Sequence, residues 1–297
     1  MTNKQKAILL MLLSTLSFSV MQLIVKLSSG TIPVMEQVFA RNLITLFIAL
    51  SMIIKTKVPA FGRKENQPAL LGRAVLGYIG VVGYFYATTH MNVADASLLH
   101  RSSPFFTIIF AAIFLKERLK RIHIIALLIA FTGALLVINP SFNLEKITPA
   151  LMGIMSAIVS GAAYVLISFL KGKESNATII FVFSIVSCIL SLIFGVTSFA
   201  VPTAMDLLML LGIGLTAGYG QITLTQAYSM TAPGEVSIIN YVGIVFSAIL
   251  GLVFLNEAVS VRSLVGMILI FAAALLLYFI KNSPYIRIRK NRSNPNA

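Results

Sequence analysis

The chain has 297 residues, of which 58% are hydrophobic and 11% charged, with a mean hydropathy of +0.94; soluble domains carry about 25% charged residues, so water is excluded as the solvent for most of this surface. The formal net charge of +14 does not mark a nucleic-acid partner, because the basic residues stand between long apolar runs, where topology signals belong, and no basic-aromatic module accompanies them. The single cysteine, Cys188, excludes an intrachain disulfide, and with no His/Cys/Asp/Glu cluster at metal-ligand spacing and no phosphate-binding loop, neither a metal, a cofactor nor an ATP-driven step is expected.

A helix needs about 20 apolar residues to cross a bilayer, and ten runs approach that length. The first, near Ala7–Leu27, follows Lys4 and Lys6 as a signal peptide would. It has no small-residue cleavage site and is as long as a full span, so it reads as the first helix. The others lie near Val34–Ile54, Ala69–Ala87, Ala94–Leu115, Ile122–Ile138, Ile147–Leu170, Ala177–Phe199, Leu207–Ala227, Val236–Leu255 and Ser263–Ile280. Unpaired backbone cannot face lipid, and the connections are short, so the expected fold is an all-α integral membrane bundle of ten helices.

Lys and Arg set the orientation. Lys4, Lys6, Lys55, Lys57, Arg63, Lys64, Lys116, Arg118, Lys120, Arg121, Lys171, Lys173, Lys281, Arg287, Arg289, Lys290 and Arg292 fall on one side; only Lys146 and Arg262 fall on the other. The positive-inside rule places both termini in the cytoplasm of a cell (plasma or inner) membrane. The loop around Met230–Glu235 is on the inner side without Lys or Arg. The basic tail, 281–297, reads as an anchor to anionic membrane lipids.

Residues 87–138 match residues 227–278 at a constant offset of 140. Asp95 meets Glu235, Ser97 meets Ser237, Phe106 meets Phe246, Glu117 meets Glu257, and Ala134-Leu135-Leu136 meets Ala274-Leu275-Leu276. Each unit, 7–139 and 147–280, then holds five spans. Five is odd, so the second unit is inverted relative to the first, an architecture of secondary transporters that open a central site to either side in turn.

The segment Tyr86-Ala87-Thr88-Thr89-His90-Met91-Asn92-Val93-Ala94-Asp95-Ala96-Ser97-Leu98-Leu99, followed by Pro104-Phe105-Phe106 and Phe114-Leu115-Lys116-Glu117-Arg118, resembles the EamA domain of the drug/metabolite transporter superfamily. The second copy runs from Ala227-Tyr228-Ser229-Met230 to Leu255-Asn256-Glu257, and Arg41 matches a family arginine. The resemblance covers almost the whole chain as two tandem domains. It implies ten helices, both termini inside, and export or uptake of small metabolites. Two departures stand out: Phe18 and Ala162 lie where the family often has Trp, and Ile244 replaces a counterpart of Pro104.

Charged groups inside a bilayer cost about 2.5–3.5 kcal/mol at mid-span and usually face a cavity. Arg101 and His100 lie about seven residues, hence about 10 Å, into the fourth span, and their repeat mates Tyr241 and Asn240 lie about as deep from the other boundary. The two pairs bracket the bilayer centre, where a solute site belongs. A guanidinium fork suits a carboxylate or phosphate, so an anionic or zwitterionic metabolite such as an amino acid is expected. Arg41 is read as either a packing anchor or a cavity residue. Arg73, near the cytoplasmic end of its helix, is expected to snorkel. Lys26 and Glu36 are read as an ion pair near the outer face. Gln22, Tyr86 and Tyr164 complete the substrate-contact candidates, with Tyr84, Gln221 and Gln226 as further polar groups that serve equally as inter-helix glue. Gly77, Gly80 and Gly83 read as close-packing positions. His90 and His123 read as interfacial. Proton or exchange coupling is expected, with His100 the candidate titrating group.

Two other readings were open. A lipid-modifying enzyme needs converging acid, base or metal ligands, and the nine acidic residues are scattered. A structural or sensory membrane protein needs no inverted repeat. A multidrug or cation exporter is the alternative within the transporter class.

Overall fold

The structure is a computed structural model that describes residues 2–90, 93–117, 121–138, 147–255 and 260–279. Arg118, Lys120, Lys146, Asn256, Glu257 and the basic tail lie outside the described residues, as does the side chain of Asp95. Among the described residues the chain is helical, with no strand. The helices are α1 (Asn3–Leu27), α2 (Val34–Thr56), α3 (Gln67–His90), α4 (Val93–His100), α5 (Ser103–Phe114), α6 (Arg121–Ile138), α7 (Ile147–Phe169), α8 (Asn176–Gly195), α9 (Ala204–Met230), α10 (Pro233–Val236), α11 (Val242–Leu255) and α12 (Val261–Phe279).

Local chemistry sets the helix ends. Thr2 Oγ1 accepts the Gln5 N–H at 3.2 Å while Gln5 Oε1 accepts the Thr2 N–H at 2.9 Å. Thr203 and Asp206 form the same reciprocal box at the start of α9, so orphan amide donors at both helix starts are satisfied. Ser175 caps α8 by accepting from the Thr178 N–H at 3.0 Å. α2 stops where Lys57 turns left-handed, at φ 52°.

Eight helical segments are long and apolar enough to cross a membrane, and Arg121–Leu136 and Val261–Leu276 are shorter apolar helices. Their outer faces are apolar: Phe47, Ile54, Phe114, Phe194, Leu208 and Ile268 are all exposed. An apolar surface this large needs lipid as its solvent, so the chain is an integral membrane protein.

Two of the expected spans are interrupted. The run at 94–115 breaks at Arg101-Ser102, between α4 and α5. Pro104 occupies the first turn of α5, where a missing N–H costs nothing, and it leaves the His100 carbonyl without a helical donor. The run at 236–255 has no proline at Ile244, yet it too is broken: α10 passes into a 3-10 turn over Ser237–Tyr241 before α11 begins. The two breaks fall at positions 140 residues apart in the repeat register.

The most extensive packing joins α1 to α9, α3 to α7, α6 to α12 and α2 to α8. Each of these pairs links the chain before residue 139 to the chain after it. Small residues permit the approach. A Cβ on Gly83 would stand 2.8 Å from the Met152 carbonyl oxygen, and one on Gly80 would stand 2.5 Å from Ser160 Oγ, as expected for close-packing positions. Ser14 Oγ donates to the Gly220 carbonyl at 2.8 Å and Ser17 Oγ to the Thr216 carbonyl at 3.0 Å, tying α1 to α9. Near the helix ends, Glu36 Oε2 accepts the Ala200 N–H at 3.0 Å; its carboxylate is held by backbone rather than by the lysine expected from sequence.

Candidate functional site: a cationic cavity between the helices

The helices enclose a cavity of about 70 Å³ lined from α1, α2, α3, α7, α8, α9 and both helix breaks. Along α3 it is lined by Arg73, Gly77, Val81, Tyr84 and Phe85. Three arginines face it: Arg41, Arg73 and Arg101, which are 3%, 2% and 7% exposed. None of its lining residues is Asp or Glu.

Arg101 stands at the α4–α5 break. Its Nη1 donates to the Asn240 carbonyl at 3.0 Å and its Nη2 to Ser19 Oγ at 3.1 Å. At the end of the 3-10 turn that carbonyl also accepts from the Val242 N–H, and the guanidinium supplies a second donor. Ser19 Oγ in turn donates to the Gly243 carbonyl at 2.9 Å and accepts from Ser247 Oγ at 3.2 Å. Gly243 leaves room for this arrangement, because a Cβ there would fall on the Arg101 guanidinium. His100 stacks on Tyr84, ring centroids 4.1 Å apart, and its Nδ1 is 2.7 Å from Ser156 Oγ.

Arg41 and Arg73 share the ring of Phe183. The guanidinium carbons lie 5.7 Å and 4.2 Å from its centroid, a distance at which the ring's electron-rich face favours a cation. Arg41 Nη1 donates to Asn42 Oδ1 at 3.0 Å. Arg73 does not snorkel. It folds back along α3 into the space left by Gly77, where a Cβ would meet both its Nη1 and the Phe183 ring. Gly77 therefore makes room both for a charge and for the Phe183 ring of the neighbouring α8. Arg41 Nε, Arg73 Nε and Nη1, and Arg101 Nε are buried without a hydrogen-bond acceptor. Tyr164 lines the same cavity.

The cavity thus brings together Arg101, His100, Asn240, Arg41 and Tyr164, with Tyr84 and Gln221. Three of the substrate-contact candidates named from sequence point elsewhere. Gln22 Nε2 donates to Ser97 Oγ and its Oε1 accepts from Ser247 Oγ, which leaves the side chain as a bolt between helices. Tyr86 stacks on His90 at 4.1 Å. Tyr241 is fully buried against Phe131. His90 is exposed, as an interfacial residue would be, whereas His123 is buried. Phe183, one of 20 phenylalanines, and Gly243 gave no sequence signal; Arg73 had one, the glycine four residues on along the same helix face.

At the helix ends, Glu117 follows α5 beside α10. Burial pushes its carboxyl above the ordinary value. The Gly234 N–H that it accepts and the nearby Lys171 oppose that rise, and the charge of Glu235 adds to it. Lys171 Nζ donates to the Met230 carbonyl at 2.9 Å.

The model of the EamA-like transporter family matches this chain twice, over residues 5–139 and 147–279. The pseudopaline exporter CntI of Pseudomonas aeruginosa is 36% identical over 92% of this chain and 96% of that protein. Solute carrier family 35 member G1 of Homo sapiens is 30% identical over 83% of this chain and 71% of that protein. The S-adenosylmethionine uptake transporter of Rickettsia bellii is 25% identical over 78% and 81%. A solved crystal structure superposes with a TM-score of 0.78, covering 91% of this chain and 95% of that one at 18% identity, a likeness of fold. With a family model matched across both halves and named transporters related along nearly its full length, the chain belongs to the EamA-like transporter family.

Proposed function

We propose that this protein is a secondary active transporter that carries a small anionic or zwitterionic organic metabolite by alternating access. The observation that carries the reading is the buried cavity with three guanidiniums and no lining carboxylate. Uncompensated buried cations are costly, and a bound anion offsets that cost. The same charge argues against a cation exporter. Arg101, Arg41, Asn240, Tyr164 and His100 are the proposed contacts, with Arg73 and Phe183 added.

Ten spans in two inverted five-helix units, 7–139 and 147–280, form the proposed frame. The exchange of partners supports it: the first helix of each unit packs on the third of the other, as α1 on α9 and α7 on α3. The broken helices α4–α5 and α10–α11 are matched across the units and meet at the cavity through Arg101 and Asn240. Discontinuous helices at a repeat interface are where transporters bind solutes. Both termini are placed in the cytoplasm by the charge bias, with coupling to protons or to exchange.

Purified protein in liposomes tests this. Counterflow of a radiolabelled panel of amino acids and organic acids is expected for at least one acidic or zwitterionic member. Transport confined to lipophilic cations would overturn the reading.

A further inference from the structure

Resting on the reading of the cavity as an anion site, we infer that the solute carries at least two separate carboxylate groups, one at each end of the cavity. The guanidiniums are not gathered at one point. Arg41 and Arg73 form one pole around Phe183, with the Arg73 guanidinium at the level of Gly77. Arg101 forms the other, beside Asn240 and Ser19; its neighbour in sequence, His100, stacks on Tyr84. Gly77 and Tyr84, which mark the two ends on α3, are seven residues or about 10 Å apart along the helix, and that sets the scale of the separation. A single carboxylate cannot touch both, since a charge-assisted bond spans about 2.7–2.9 Å.

Each pole also keeps buried, unpartnered donors: Nε and Nη1 of Arg73 and Nε of Arg41 at one, Nε of Arg101 at the other. Buried donors without acceptors are costly, and here they belong to groups that already bear charge. A solute that neutralised only one end would leave the other cation buried and unpaired. Two carboxylates on a chain of a few carbons satisfy both ends at once. Charge count alone is not the criterion: a compact dianion reaches one pole only.

Binding to the purified full-length protein in lipid nanodiscs, at matched ionic strength, separates the possibilities. The probes are butyrate, norleucine, inorganic phosphate, adipate and tetraphenylphosphonium. Adipate is expected to bind at least tenfold more tightly than butyrate, norleucine or phosphate. Arg73→Gln and Arg101→Gln are each expected to reduce adipate to the level of butyrate. Arg101→Gln loses the bond to Asn240; where it does not yield folded protein, Arg73→Gln decides alone. Butyrate or norleucine binding as tightly as adipate would overturn the two-pole inference and leave the anionic or zwitterionic reading standing. Phosphate matching adipate, adipate unaffected by Arg73→Gln, or no binding of any anionic probe would also overturn it. Binding of tetraphenylphosphonium alone overturns both readings.

Discussion

Arg101, at the break between α4 and α5, donates Nη1 to the main-chain carbonyl of Asn240, in the 3-10 turn that interrupts the equivalent stretch 139 residues later. One side chain therefore joins the two weakest points of the helical frame, and it does so at the wall of the cavity.

Arg101→Ala is expected to lower solute flux in proteoliposomes by at least about tenfold, because hydrogen bonds to a charged group are worth about 1.5–3 kcal/mol. Size-exclusion profiles and membrane insertion are expected to match the parent. Unaltered flux would remove Arg101 from the site.

Gly243→Ala and Gly77→Ala place a methyl group on the Arg101 and Arg73 guanidiniums respectively. Overpacking of this kind costs about 1–3 kcal/mol, so both are expected to lower the melting temperature and weaken solute binding. Gly30→Ala is the control, since nothing lies within 4 Å of its added carbon. Equal behaviour of all three variants would contradict the assignment of space to the arginines.

His100→Gln keeps a group able to reach Ser156 while removing the imidazole that stacks on Tyr84 beside Arg101. If His100 couples transport to protons, the pH dependence of flux flattens. A profile superimposable on the parent's would exclude that role.

Glu117 gives a stability prediction with a definite sign. Its carboxyl is raised in the folded protein, first by burial. A raised acid contributes stability that is full below the unfolded value, about 4.3, and that is lost as pH rises through the folded value. Glu117→Gln is expected to remove this loss, so its melting temperature gains on the parent from pH 4 to pH 7. A constant difference across that range would show that Glu117 titrates normally.

Run length and charge bias were enough to read an all-helical membrane chain, because the cost of bare backbone in lipid leaves few alternatives. The helix breaks were only half legible. Pro104 announces the first, but nothing in Ser237-Ile238-Ile239-Asn240-Tyr241 distinguishes a 3-10 turn from a continuing apolar helix. Arg73 was misplaced because depth along a helix was counted from its end, whereas the side chain's course was decided by the gap at Gly77. The directions of Gln22 and Tyr241 are hidden for a related reason: position in the bilayer centre does not say which way a residue faces.

The pairing of α1 with α9 and α3 with α7 bears on how the chain is made. All three cavity arginines are synthesised before residue 139, while Phe183, Tyr164 and Asn240, which shelter them, come later. Within the first half, Arg41 has Asn42 and Arg101 has Ser19 as partners, while the groups that complete their surroundings belong to the second half. The surroundings of the three charges are therefore complete only once both halves are in place.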